Sequence, residues 1–176
     1  MAVGQVLVNW LLLGCLYAAV ALGFSLVWGI MNIVNLAHGA FIIVGAYTAF
    51  WMYTQLHIDP YLGIPLTMAL LFVIGWIVQY VAINRVIRAP LLVTFLLTFG
   101  LDLLIADLVQ HFFTSDLRSI NTTYAGNGID IGSTHIAFDS LIAAAIAVLL
   151  TAALNYYLTR TRTGNAVLAT GMDRDA

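Results

Sequence analysis

Apolar residues dominate this chain in long runs, and charged residues interrupt them at only a few places. Charge-free or nearly charge-free stretches cover Val6 to about Ile30, Asn32–Tyr53, Tyr61–Ile83, Leu91–Phe113 and Ser140–Leu158. Each is close to the roughly 20 residues an α-helix needs to cross a hydrocarbon core of about 30 Å, so the pattern predicts five spanning helices. Asp59 before Pro60, and Asp139 ahead of the last run, fit helix N-caps, while Pro90 fits a first helical position. Pro65 marks either a later start or a kink in the third helix.

Between the fourth and fifth runs lies the one long polar stretch before the tail, Thr114–Ala137. In it Ala125-Gly126-Asn127-Gly128 is a turn signal followed by the alternating Ile129-Asp130-Ile131, which predicts a small hairpin. The fold class expected is therefore all-α, a polytopic membrane protein with about five transmembrane helices in a bundle and a small outer loop.

Composition strengthens the membrane reading. Of 176 residues 62% are hydrophobic and 8% charged, against roughly 25% charged in a soluble domain. The 6 basic residues are all Arg and the 8 acidic ones all Asp. Arg85 and Arg88 fall between the third and fourth runs, and Arg160, Arg162 and Arg174 follow the fifth, which marks that side as cytoplasmic and puts the N-terminus outside. A lone Cys15 excludes an internal disulfide or a cysteine-rich metal site. No glycine-rich phosphate loop, metal-ligand spacing or Gly-x-Ser-x-Gly elbow is present, which argues against an enzyme or an ATP-binding subunit.

With lipid as solvent, polar residues inside the runs carry the chemical information. Asn32, Asn35 and Gly39 recur at i, i+3 and i+7 with His38 beside them, and on a continuous helix they share one face. Two readings stay open: satisfaction of the backbone at the turn between the first two helices, or a discontinuous helix start that exposes amides and an imidazole to a solute path. In the fourth run Thr94, Thr98, Asp102, Ala106 and Gln110 form an i+4 stripe with Asp102 near mid-span. A carboxylate at that depth costs about 2.5–3.5 kcal/mol on insertion scales, so the stripe is expected to face the bundle interior or water. Gly14 with Ala18 and Gly45 with Ala49 are small-xxx-small pairs suited to close helix contact.

The segment Gly14–Phe50, above all Met31-Asn32 to Asn35-Leu36-Ala37-His38-Gly39 and then Gly45-Ala46-Tyr47, resembles the permease subunits of branched-chain amino acid ABC importers of the LivH type. The stretch Thr159–Thr170 resembles the family's exit from a membrane helix into the cytoplasmic coupling segment, and the likeness extends over nearly the whole chain. It departs from the family at Asn165, where relatives often carry a basic residue, and at Asp102, where an uncharged one is expected.

The resemblance implies a transmembrane permease domain over residues 1–159 and the start of an ATPase-coupling segment over 160–176. Because family members continue with further membrane helices, the chain is expected to be an N-terminal portion. It implies Asn32, Asn35, His38, Gly39, Thr98 and Asp102 along the substrate path, and Gly164, Asn165, Ala166, Thr170, Asp173 and Arg174 at the ATPase. The implied partners are a second permease subunit, two cytoplasmic ATPases that use ATP, and a periplasmic substrate-binding protein, in a bacterial inner membrane. No cofactor is expected on this chain. Related permeases move urea or short amides, and a passive channel or a structural membrane subunit are the other classes that fit the composition. The tail shows little amphipathic spacing, so its helical state follows from the resemblance alone.

Overall fold

Asp59 takes an extended conformation (φ −55°, ψ 136°) and its carboxylate accepts a hydrogen bond from the Tyr61 backbone N–H at 2.9 Å, with Pro60 at the first helical position. That is the N-cap expected from the sequence, and it starts a helix whose missing proline donor is one of the orphan N–H positions anyway. In this computed structural model, which describes residues 3–87, 89–113, 118–120, 122, 126–131 and 134–172, the elements run in order as α1 (Val3–Met31), α2 (His38–Leu56), α3 (Pro60–Val78), a π-helical turn (Gln79–Ile83), α4 (Asn84–Val86), α5 (Leu91–Phe113), β1 (Gly128–Ile131), β2 (Thr134–Ala137), α6 (Phe138–Arg160) and α7 (Arg162–Met172).

Among the described residues four helices are long and apolar enough to cross a membrane: α1, the continuous Pro60–Val86, α5 and α6. At 29 residues α1 measures about 44 Å, well beyond a hydrocarbon core of about 30 Å. The fifth expected span, α2, has 19 residues and is more polar, with Thr48, Thr54 and Gln55 among them; Thr48 and Thr54 return their hydroxyls to the carbonyls of Val44 and Phe50 one turn back. The chain is a polytopic, all-α membrane protein. Its large apolar side chains point outward: Phe72 is 75% exposed, Leu149 68% and Trp10 67%, a surface for lipid and not for water.

Three boundaries differ from those expected. The second helix begins at His38 and not at Asn32, because Asn32 adopts φ 52°, from which no right-handed helix continues. Asp139 is not the cap of α6: the extended Ala137 precedes the helix, and Asp139 sits in its first turn, where a carboxylate favours the helix dipole. Pro90 lies one residue before α5 and accepts the Val93 N–H on its carbonyl at 2.9 Å. Pro65 remains inside α3 without ending it.

The described residues form two compact units, one from Met1–Asn32 with Thr122–Ala176 and the other from Ile33–Asn121. In the second, α2 packs on α3 and α5. Gly45 permits this, since a Cβ there meets the Leu71 side chain at 3.2 Å, and Met52 is buried beside Gly63 and accepts the Thr67 hydroxyl on sulfur at 3.7 Å. Tyr47 and Phe113 pack with ring centroids 4.8 Å apart, and the Arg118 guanidinium lies 5.4 Å over the Phe50 ring. The π turn after α3 brings residues five apart together, and Gln79 Nε2 accordingly donates to Asn84 Oδ1 at 3.0 Å.

In the first unit α1 runs along α6, whose Ala144 and Ala147 are buried at the contact-bearing face. By contrast Gly14, expected in a packing seam, has open space where a side chain would be. A small hairpin is present, but its connection follows Ile131 and does not fall at Ala125–Gly128: Gly126, at φ 86°, leads into β1, which pairs antiparallel with β2, Asp130 opposite His135 and Ile131 opposite Thr134. The Asp130 carboxylate reaches His135 Nδ1 at 2.6 Å. Gln5 fastens the hairpin to α1 with its amide, donating to the His135 carbonyl at 2.7 Å and accepting the His135 N–H at 2.6 Å.

Candidate functional site

The break between α1 and α2 is built from one left-handed residue and a short non-helical run whose Ile33 and Ala37 are buried. Asn32 donates its N–H to the Trp28 carbonyl at 2.8 Å, which completes the last turn of α1, and its φ of 52° then turns the chain out of the helix. Asparagine tolerates this conformation better than other non-glycine residues. Ile33, Val34 and Asn35 follow without helical structure, Leu36 and Ala37 form a turn, and the His38 N–H donates to the Asn35 carbonyl at 3.3 Å as α2 begins. Asn32, Asn35 and Gly39 therefore do not share a helical face, because their spacing spans a non-helical stretch.

Helix α5 holds this run in place. Thr98 is fully buried, and its hydroxyl donates to the Val34 carbonyl at 2.8 Å, with the Phe95 carbonyl at 3.1 Å as a second acceptor. Ile33, Ala37 and Ala40 are buried in the same unit. The stripe on α5 is graded: Thr94 and Thr98 are buried, Asp102 and Ala106 half-buried, and Gln110 exposed. Its inward-facing part is thus the end that meets the broken segment. Asp102 lies one turn beyond Thr98, with no hydrogen-bond or ion-pair partner for its carboxylate among the described residues. Of the residues singled out from sequence, Thr98 is brought against the segment containing Asn35, and Asn35 and His38 are half-buried. Asn32 and Gly39 are exposed.

The left-handed residue makes a direct stability prediction. Asn32→Val places a β-branched side chain at φ 52°, a conformation that costs about 1–2 kcal/mol, and is expected to lower the thermal midpoint of the detergent-extracted protein. Asn32→Gly should leave that midpoint within a degree or so of the wild type. Equal midpoints for the two variants would refute the left-handed assignment.

The tail is helical. Thr161 is extended (φ −103°, ψ 152°) between α6 and α7, and its hydroxyl donates to the Tyr157 carbonyl at 2.6 Å while accepting the Gly164 N–H at 3.0 Å. Thr163 adds a bond to the Tyr157 phenol oxygen at 3.0 Å. Contrary to the expectation of weak amphipathicity, α7 has two faces: Gly164, Val167 and Gly171 turn inward, and Arg162, Asn165, Ala166 and Ala169 are exposed. The glycines conceal this spacing in the sequence, because the inner face is built on close backbone approach as much as on large apolar side chains. The Thr170 side chain, Asp173 and Arg174 lie outside the described residues.

Comparison with known proteins covers both regions. The model of the family described as branched-chain amino acid transport system, permease component, matches residues 6–176. The chain belongs to this family. It is 28% identical over 96% of its length to the high-affinity branched-chain amino acid transport system permease protein BraD of Pseudomonas aeruginosa, and 26% identical over 96% to LivH of Salmonella typhimurium. A probable branched-chain amino acid transport permease protein LivH of Methanocaldococcus jannaschii is 30% identical over 62% of the chain and 35% of its own length. This permease spans 59% of the length of the first two relatives. No solved structure matches it.

Proposed function

We propose that this chain is part of the permease of an ATP-driven importer for branched-chain amino acids and lines the translocation path with the broken segment and the inner stripe of α5. The observation that carries the reading is the interruption of an apolar membrane chain by a non-helical run at Ile33–Ala37, buried at Ile33 and Ala37 and anchored by Thr98, since irregular backbone at membrane depth is tolerated where it is buried in protein or borders a cavity. The family match and the names of the relatives support the substrate class. In this reading a second permease subunit completes the path, and a periplasmic binding protein delivers the amino acid at the hairpin side. Two cytoplasmic ATPases engage the exposed face of α7. The chain binds no cofactor of its own, the membrane is a bacterial inner membrane, and the arginine distribution puts the N-terminus outside.

Reconstitution of the complete permease with its ATPases and binding protein tests this. Leucine uptake into vesicles is expected to require ATP, and uptake unchanged after ATP removal would rule the importer out. In the same vesicles, His38→Ala and Asp102→Asn are expected to reduce uptake several-fold at an unaltered level of inserted protein.

A further inference from the structure

We infer that α7 passes the movement of the ATPase to the end of α1 through a backbone contact between Gly171 and Gly29, so that Gly171 and Gly29 are positioning residues for transport; this rests on the reading of α7 as the ATPase-facing helix. A Cβ on Gly171 would lie 2.8 Å from the Gly29 carbonyl oxygen and 3.5 Å from the Ile30 Cα. The two backbones therefore touch with no side chain between them. A side chain at a contact can absorb a small displacement by changing rotamer, and a backbone-on-backbone contact cannot.

The opposite end of α7 is fastened in the same way. Gly164 is buried, and a Cβ there would collide with the Tyr157 carbonyl and lie 2.6 Å from the Leu158 Cα, so α7 starts hard against the end of α6. Between its two ends the helix borders a groove of about 550 Å³ whose walls include Leu26 of α1, Leu158 of α6 and Leu168 of α7. The glycine contacts at the two ends are thus where α7 is held most closely, one on each of the two long helices.

What the α1 contact reaches is the important point. Gly29 belongs to the last turn of α1, the one closed by the hydrogen bond from the Asn32 N–H to the Trp28 carbonyl. Three residues further on, Asn32 takes its left-handed conformation and the non-helical segment begins. A displacement of the C-terminal end of α7 is therefore a displacement of the turn that carries Asn32. Movement arriving at the exposed face of α7 reaches the broken segment along α1 directly, in addition to passing into α6.

The test uses the assembled transporter in vesicles. Gly171→Val inserts a branched side chain where less than one atom's clearance exists and parts the last turn of α7 from Gly29, while Thr161 and Gly164 still hold its start against α6. ATPase co-purification and ATP hydrolysis are expected to stay near wild type while leucine uptake falls about tenfold, an uncoupling that loss of fold would not produce. Gly171→Ala, with a single added methyl, is expected to show the same split to a smaller degree and serves if the valine variant does not accumulate. Gly75→Ala, a change at a half-buried glycine with open space beside it, is the matched control and is expected to leave uptake unchanged. Wild-type uptake by Gly171→Val overturns the inference, and so does a loss of bound ATPase that parallels the loss of uptake. Failure of the unsubstituted permease to retain ATPase brings down the importer reading as well, and is recognised because it precedes any substitution.

Discussion

Gly164→Val is expected to strip the ATPase from the permease while leaving the membrane helices inserted. The added Cβ would run into the Tyr157 carbonyl and sit 2.6 Å from the Leu158 Cα and 2.8 Å from the Leu158 carbonyl oxygen. All three obstacles are backbone atoms in the last turns of α6, so none can swing aside as a flexible side chain would. The joint has little slack elsewhere, because Thr161 bonds both the Tyr157 carbonyl and the Gly164 N–H, and the Asn165 N–H bonds the Thr161 carbonyl at 3.0 Å. Overpacking of this kind costs about 1–3 kcal/mol, or about fivefold to about 150-fold in the population of α7 correctly seated on α6. Co-purification of ATPase, normalised to permease in the membrane fraction, reads the effect. ATPase retained at the wild-type level would show that the position of α7 does not govern docking.

Thr98→Val is expected to be the most damaging conservative change in the second unit. Valine keeps the shape of threonine, so the fully buried site stays filled, but the Val34 carbonyl loses the donor that reaches it at 2.8 Å. A buried acceptor left without its partner costs about 1–3 kcal/mol, and at membrane depth water does not readily replace the lost bond. A lower thermal midpoint and a several-fold fall in leucine uptake are expected together. Thr98→Ser, which restores the hydroxyl and loses only a methyl group, should recover most of both. If valine and serine behave alike, the hydroxyl does not hold the segment.

The parts of this fold that were legible beforehand are those set by local rules. Charge-free length marks the spans because the bilayer fixes how many apolar residues a helix needs. Asp59-Pro60 marks a helix start, and Gly126 a turn, because cap and turn chemistry act within a few residues. The broken segment was legible as polar but not as broken. The i, i+3, i+7 spacing of Asn32, Asn35 and Gly39 presumes a helix, and only the backbone shows that Asn32 leaves it. Hydrophobic periodicity is equally silent about the π turn, since a span surrounded by lipid is apolar on every side and one residue of slippage changes no pattern. Thr98 stood out as one hydroxyl in a stripe, but its acceptor lies 64 residues away in the chain, a pairing no local rule supplies. Gly164 and Gly171 carry no spacing signal, because their importance is the side chain they lack.

The π turn at Gln79–Ile83 has an evolutionary corollary. A π turn is geometrically one residue inserted into an α-helix, so loss of a single codon within it is the change that would restore a regular helix from Pro60 to Val86. Each α-helical residue advances the chain by about 100°, but the wide turn takes up the extra residue locally, so such a deletion would leave Asn84 and Arg85 on the faces they now occupy. It would also bring Gln79 and Asn84 to a spacing of four residues, at which two amides on a regular helix still meet. Lineages of this permease should therefore tolerate either length at 79–83, with the two amides paired whether or not the extra residue is present.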